Sequence, residues 1–251
     1  MDFLRTENLC INFGGVKAIN DVSFEIGPSE RLAIIGPNGA GKTTLFNLIN
    51  GQLSASSGKI IYQGEDITKL PVHRRAQAGI MRSFQLVSLF MELSVMENAL
   101  LSIYGNMPEK NQMLKSLYSY KEIVNAAEEA LMTAGLYDVR NDSIKNIAYG
   151  AQRKLEICLS MACKPKLLML DEPSNGLALS DSNKLVELIK ELDRDTAIIM
   201  VAHDLDLVFK VAERIIVLFF GEIIADGTPE EIRSDEKVKE IYMGIEEDPN
   251  C

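Results

Sequence analysis

Gly36-Pro37-Asn38-Gly39-Ala40-Gly41-Lys42-Thr43-Thr44 is the stretch from which the fold is read. It fits the glycine-rich phosphate-loop pattern G-x-x-x-x-G-K-[ST]. The apolar run Leu32-Ala33-Ile34-Ile35 before it predicts a buried strand, and Leu45, Leu48 and Ile49 after it recur at helical spacing. A polyphosphate needs several donors converging at close range. Glycines let the backbone turn sharply and bring its N–H groups near the oxygens. The helix start adds unpaired N–H groups and the positive end of its dipole. Lys42 supplies a mobile cation for the β and γ phosphates, and the Thr43 hydroxyl suits a Mg²⁺ ligand.

A second apolar strand, Leu167-Leu168-Met169-Leu170, ends in Asp171-Glu172-Pro173. A strand buried on both faces reads this way. Asp171 at its carboxyl end can hold Mg²⁺ or one of its water ligands, and Glu172 can polarise a water for attack on the γ-phosphate. Alone, the Asp-Glu-Pro triplet could equally cap a helix; beside a phosphate loop the hydrolytic reading is favoured. His203 follows a third apolar run, Ile198 to Ala202, and can donate a hydrogen bond to a γ-phosphate. Strand ends converging on one crevice are where ligands bind in such sheets.

The alternation of strands and helices over residues 166–220 predicts a parallel sheet with crossover helices. Before the loop, residues 3–26 predict antiparallel strands around a Gly14-Gly15 turn. Residues 59–62 predict another strand, and 63–66 a turn. A short helix is expected over 71–79 and a strand over 80–84, with Gln85 at its end. Met113, Leu117, Tyr120, Val124, Ala127, Leu131 and Ala134 recur at steps of four and three, which predicts one long helix ending at Gly135. Thr228-Pro229-Glu230-Glu231 has the form of a capping box.

At 251 residues the chain can bury a sizeable core. Its 47% hydrophobic and 25% charged residues are those of an ordinary globular protein. A formal net charge of −10 argues against broad nucleic-acid binding. The four cysteines lack metal-ligand spacing, and Cys158 and Cys163 are expected as small residues of a helical core in a reduced, intracellular setting. No run approaches the 18 or so apolar residues of a membrane span, and no signal-peptide core precedes the first strand. A membrane link is therefore expected through partners.

Together these residues resemble the ATP-binding subunit of ABC transporters over nearly the whole chain. Gly36 to Thr44 is similar to Walker A, and Leu167 to Glu172 to Walker B with its catalytic glutamate. Gln85 matches the Q-loop, a ligand to the metal or the attacking water, and His203 matches the switch histidine. Phe13 stands where an aromatic residue stacks on adenine; as a residue type in a strand it could also be core. The family's Leu-Ser-Gly-Gly-Gln signature reads Ile147-Ala148-Tyr149-Gly150-Ala151 here, with only Gly150 retained. In the family this motif reaches the ATP of the other subunit. Ala148 lacks the serine hydroxyl, so Tyr149, Gly150 and the backbone at the helix start would serve instead. The loop Ser174-Asn175-Gly176-Leu177-Ala178 lacks the family's terminal aspartate.

The resemblance implies an α/β fold. Residues 1–89 and 164–251 would form a P-loop NTPase (RecA-like) core with an antiparallel β subdomain, and 90–163 an inserted α-helical subdomain carrying the signature. It implies ATP and Mg²⁺ as cofactors and a head-to-tail dimer with an identical or paralogous subunit. It also implies transmembrane permease partners, indirectly a solute-binding protein, no nucleic acid, and a cytoplasmic, peripheral location. Phe13-Gly14-Gly15-Val16-Lys17-Ala18, Arg82-Ser83-Phe84-Gln85, the Ala-Tyr-Gly signature and the ending Val238 to Gly244 are similar to importers of branched-chain amino acids. ATPases of lipopolysaccharide export and of urea import are close alternatives. From other classes, a GTP switch lacks its Asn-Lys-x-Asp motif here, and a regulatory nucleotide-binding protein without hydrolysis remains open.

Overall fold

The structure, a computed structural model, describes residues 3–83, 89–105 and 116–246. Two β strands open it, β1 (Leu4–Phe13) and β2 (Val16–Ile26), joined at Gly14-Gly15 into a hairpin. Their alternating apolar residues, among them Leu4, Leu9, Val22, Phe24 and Ile26, are buried on one face. β3 (Arg31–Ile35) is buried at every position and runs into the glycine loop. The helix after the loop is α1 (Lys42–Asn50). β4 (Ser57–Tyr62) and β5 (Glu65–Asp66) extend the first sheet in the order β2-β1-β4-β5, antiparallel throughout. The expected turn at 63–66 is thus a tight hairpin with a short edge strand.

α2 (Val72–Gln77) follows Pro71 and carries Arg75, which is buried. Its guanidinium donates to the Leu48 and Ile49 carbonyls at 2.7 Å each and also to Leu70 and Thr68. It thereby satisfies carbonyls that the end of α1 leaves open. Burial pulls this guanidinium down to about 10. β6 (Ile80–Ser83) then enters the second sheet.

The helical stretch comprises α3 (Val95–Gly105), α4 (Lys121–Thr133) and α5 (Tyr149–Ala162). The long helix expected from Met113 onward is shorter than its apolar repeat suggests. Residues Leu117–Ser119 form a separate 3-10 turn, and Tyr120 is extended at φ −95°, ψ 94°. Ser116 and Ser119 close this turn on themselves, with the Ser119 hydroxyl donating to the Ser116 carbonyl at 2.6 Å. Such local bonds compete with a continuing helix. Met113 lies outside the described residues. The helix does end at Gly135, where φ is +65°.

β7 (Leu167–Asp171), α6 (Leu179–Glu191), β8 (Ala197–Val201), α7 (Leu205–Val211) and β9 (Arg214–Phe219) supply the alternating half. β10 (Glu222–Gly227) adds an edge strand absent from the sequence reading. α8 (Pro229–Ser234) opens on the expected capping box of Thr228 and Glu231, and α9 (Glu236–Glu246) completes the described chain. The second sheet has the order β10-β9-β3-β8-β7-β6, parallel except for the antiparallel pair β9–β10. One core lies between this sheet and the helices α3 to α7; a second fills the space between the two sheets and packs around α1. No described helix is long and apolar enough to cross a membrane.

Candidate nucleotide site

Strand register brings the candidate residues together. Ile34 of β3 and Asp171 of β7 both pair with Val201 of β8, so one row crosses three neighbouring strands. Just beyond that row lie Gly36, Glu172 and His203, each one or two residues further along its own chain segment. All three strands are parallel, so their carboxyl ends open on one edge.

The loop then folds as its glycines require. Gly36 has φ 152°, and a Cβ there would meet the Leu218 carbonyl at 2.1 Å. Gly41 has φ 104°, and a Cβ there would meet the Ala18 carbonyl at 2.6 Å. Side chains at either point would push the loop away from β9 and β2. Lys42 is 6% exposed, and its Nζ donates to the Gly36 and Pro37 carbonyls at 2.6 and 2.8 Å. Burial lowers the pKa of this ammonium, against a smaller opposing pull from Glu172. A groove of about 340 Å³ is bordered by Asn38 to Thr44, Val16 to Ala18, Glu172, His203 and Phe220. Two larger cavities lie elsewhere, one of about 820 Å³ beside Tyr62 and Lys166 and one of about 630 Å³ beside Cys158 and Thr196, and neither is lined by the glycine loop.

Glu172 turns off the end of β7 with φ 45°, a left-handed conformation uncommon outside glycine. Its N–H still donates to the Val201 carbonyl at 2.8 Å. Its side chain is thereby turned toward β8, where Oε1 lies 3.1 Å from His203 Nε2. Asn175 Nδ2 donates to the other oxygen at 3.1 Å. Asp171 is fully buried, and its Oδ2 is ion-paired with Arg82. The Arg82 guanidinium also donates to Asn47 Oδ1 and Gln52 Oε1, at 2.6 and 2.8 Å. Asp171 Oδ1 is buried and has no hydrogen-bond partner among the described residues. Asp171 does not itself border the groove, but a buried carboxylate oxygen left open one residue before Glu172, which does, fits a divalent cation or its water.

The structure does not gather every expected residue in the groove. Phe13, half exposed, ends β1 opposite Val16, which does border the groove. Gln85 lies outside the described residues. Ala148, Tyr149 and Gly150 border no part of the groove. They form the start of α5, where Ala148 is the N-cap and offers no side-chain hydrogen bond. The Tyr149 ring lies against Gly176 of the loop after β7.

Two arginines outside the expected site residues hold the end of β7 in place. Arg153, one turn into α5 and 1% exposed, donates to the carbonyls of Asp171, Glu172 and Pro173 at 2.8, 3.2 and 3.3 Å. It also pairs with Glu156 at 2.7 Å. Arg82 is the other. From the far end of the chain, Tyr242 on α9 meets the Gly36 backbone. Burial pushes this phenol up to about 12, while the Gly36 hydrogen bond pulls it back.

The profile of the ABC transporter family matches residues 19–175. The chain belongs to that family. The profile of the branched-chain amino acid ATP-binding cassette transporter family matches residues 222–248. The chain is 38% identical over 250 residues to the high-affinity branched-chain amino acid transport ATP-binding protein LivG of Escherichia coli K12, covering 96% of this chain and 97% of that one. It is 34% identical over 249 residues to the lipopolysaccharide export system ATP-binding protein LptB of Haemophilus influenzae, covering 97% and 98%. Among solved structures, an ATP-binding cassette of an ABC transporter in its ADP conformation superposes with a TM-score of 0.84 at 31% identity, covering 97% and 99%. As an ABC ATPase, the chain is the nucleotide-binding, ATP-hydrolysing component of a transporter, and its fold is that of a P-loop NTPase.

Proposed function

We propose that this subunit energises import of branched-chain or other amino acids, working as one of a pair of ATPase subunits beneath transmembrane permease subunits on the inner face of the cell membrane. A solute-binding protein would deliver the amino acid to those permeases. The observation that carries the reading is the register that sets Lys42, Glu172 and His203 around one groove. The similarity to LivG and the match of the C-terminal profile over residues 222–248 support the solute class. The similarity to LptB supports a second reading, the ATPase of an exporter, at lower identity. Identifying the permeases that co-purify separates the two.

In this proposal the loop amides and Lys42 bind the β and γ phosphates, and Phe13 stacks on the base. Thr43 and Asp171, with Gln85, would hold Mg²⁺, which when bound neutralises phosphate charge. Glu172 takes the proton of the attacking water, and His203 donates to the γ-phosphate. Ala148, Tyr149 and Gly150 serve the groove of the second subunit through the amides at the start of α5. The core of 1–89 and 164–251 and the helical part of 90–163 then close and open with the nucleotide. A cavity of about 250 Å³ between them, bordered by Arg82, Leu89, Phe90, Asn98 and Leu159, is the place proposed for the permease.

The decisive variant is Glu172→Gln. It keeps the size of the side chain but cannot accept the proton. ATP binding is expected unchanged, while turnover falls by about 10²–10⁴-fold, the usual contribution of a general base. Turnover at the wild-type rate would remove Glu172 from that role.

A further inference from the structure

The turn between β9 and β10 carries a feature that the family motifs do not explain. Phe220 is 76% exposed, yet its backbone is left-handed at φ 45°. A bulky residue in that region is an outlier and persists where its surroundings over-determine it. The surroundings do so here. Gly221 N–H donates to the Ala40 carbonyl in the phosphate loop at 2.9 Å. The Gly221 carbonyl accepts from Asn20 N–H on β2 at 2.8 Å. A Cβ at Gly221 would stand 2.7 Å from the Ala18 carbonyl, so the turn is seated directly on β2. Asn20 Nδ2 also donates to Glu222 Oε1, which fixes the far side of the turn.

The result is a rigid mount that presents a phenyl ring to solvent. The ring is braced edge-on by Phe219, with centroids 4.4 Å apart. It borders the same groove as the phosphate loop, on the side of Val16, Lys17 and Ala18, away from the catalytic end set by Glu172 and His203. A single exposed ring is ordinary, but one fixed on a strained backbone beside a ligand groove points to a contact made on binding. An aromatic face at the sugar and base end of a nucleotide groove has a ready partner, because every base has a π face and every ribose an apolar one.

We infer that Phe220 is a nucleoside-contacting residue, packing against the ribose and base of the bound nucleotide. This rests on the nucleotide-binding reading of the groove, and its test separates the two. ADP and pyrophosphate are titrated calorimetrically into wild type, Phe220→Ala and Phe220→Tyr; neither probe is hydrolysed, and only ADP carries a sugar and base. Phe220→Ala is expected to weaken ADP by about ten-fold, the scale of one lost stacking contact, with pyrophosphate unchanged and Phe220→Tyr restoring wild-type ADP affinity. Equal ADP affinity in wild type and Phe220→Ala overturns the inference and leaves the nucleotide site standing. Equal weakening of both probes also overturns it, because the turn would then be acting through the phosphate loop. A wild-type protein that binds pyrophosphate but not ADP overturns the inference together with the reading beneath it.

Discussion

Replacing Arg153 by Met tests how the signature helix is joined to the hydrolytic strand end. The guanidinium is nearly inaccessible, as is the carboxylate of Glu156, with side-chain exposures of 1% and 7%. Desolvating both charges costs several kcal/mol per ion, offset by their attraction and by the three carbonyl bonds of Arg153. Removing only the arginine leaves Glu156 without that counter-charge, and the expected loss is about 3–5 kcal/mol. For a chain of this length that corresponds to a fall of roughly 10 °C in Tm. Replacing both residues, Arg153→Met with Glu156→Met, removes both buried charges and is expected to recover at least half of that loss.

Function separates from stability in the same set. Asp171, Glu172 and Pro173 lose the donor that gathers their carbonyls, and Glu172 no longer has its left-handed backbone held from below. Even the double variant should therefore hydrolyse ATP at least about ten-fold more slowly, since small misplacements of a catalytic group are that costly. Urea unfolding gives the stability and steady-state phosphate release gives the rate, both measured on the folded protein. A single variant within about 1 kcal/mol of wild type would refute the buried-pair account. A stable double variant with full turnover would refute the claim that Arg153 positions Glu172.

Arg82→Leu should cost a comparable amount, about 3–5 kcal/mol in urea, because it strips the counter-charge from the buried Asp171; Arg82→Leu with Asp171→Asn should regain part of it. The Cys158 thiol, pushed up to about 12 by burial in α5, should stay protonated and unlabelled by iodoacetamide at pH 8, and react once the chain is unfolded; rapid labelling of the native protein at that position would contradict the packing of α5.

The central sheet was legible because its strands are buried at every position, so β3, β7 and β8 appear as unbroken apolar runs with turn or charged residues after them. β10 was not legible for the converse reason. It is an edge strand with no fully buried position, and its Glu222-Ile223-Ile224-Ala225-Asp226-Gly227 has no alternation to mark it. The start of α4 was misplaced because the apolar repeat carries on through Leu117 and Tyr120, while the serines around them favour a turn. Candidates that would act by type at a strand end, Lys42, Asp171, Glu172 and His203, could be named in advance, and the register sets Lys42, Glu172 and His203 around one groove. Arg82 and Arg153 could not. Apart from Glu156, three residues from Arg153, their partners lie 18 to 89 residues away, several of them backbone carbonyls, which carry no residue-type signal. A buried Arg next to a Glu at helical spacing was the one available hint.

The phosphate loop that first identifies the chain already engages its own cation. Lys42 Nζ already makes two short bonds to carbonyls of its own loop, and Glu172 already has a donor on each oxygen. A bound polyphosphate therefore gains Lys42 by exchange, giving up two neutral acceptors for charged ones. Hydrogen bonds with an ionised donor contribute about 1.5–3 kcal/mol, and the bonds to carbonyls are already of this kind, so the net gain per exchanged bond is modest. The larger part of the affinity has to come from elsewhere: the loop amides, the start of α1, and the apolar contacts proposed above for the sugar and base. Lys42→Ala is accordingly expected to weaken ATP more than ADP, because the γ-phosphate loses its cation while the nucleoside contacts persist. Equal weakening of both in a calorimetric titration would mean that Lys42 acts by holding the loop in shape, through the Gly36 and Pro37 carbonyls, and not by charge.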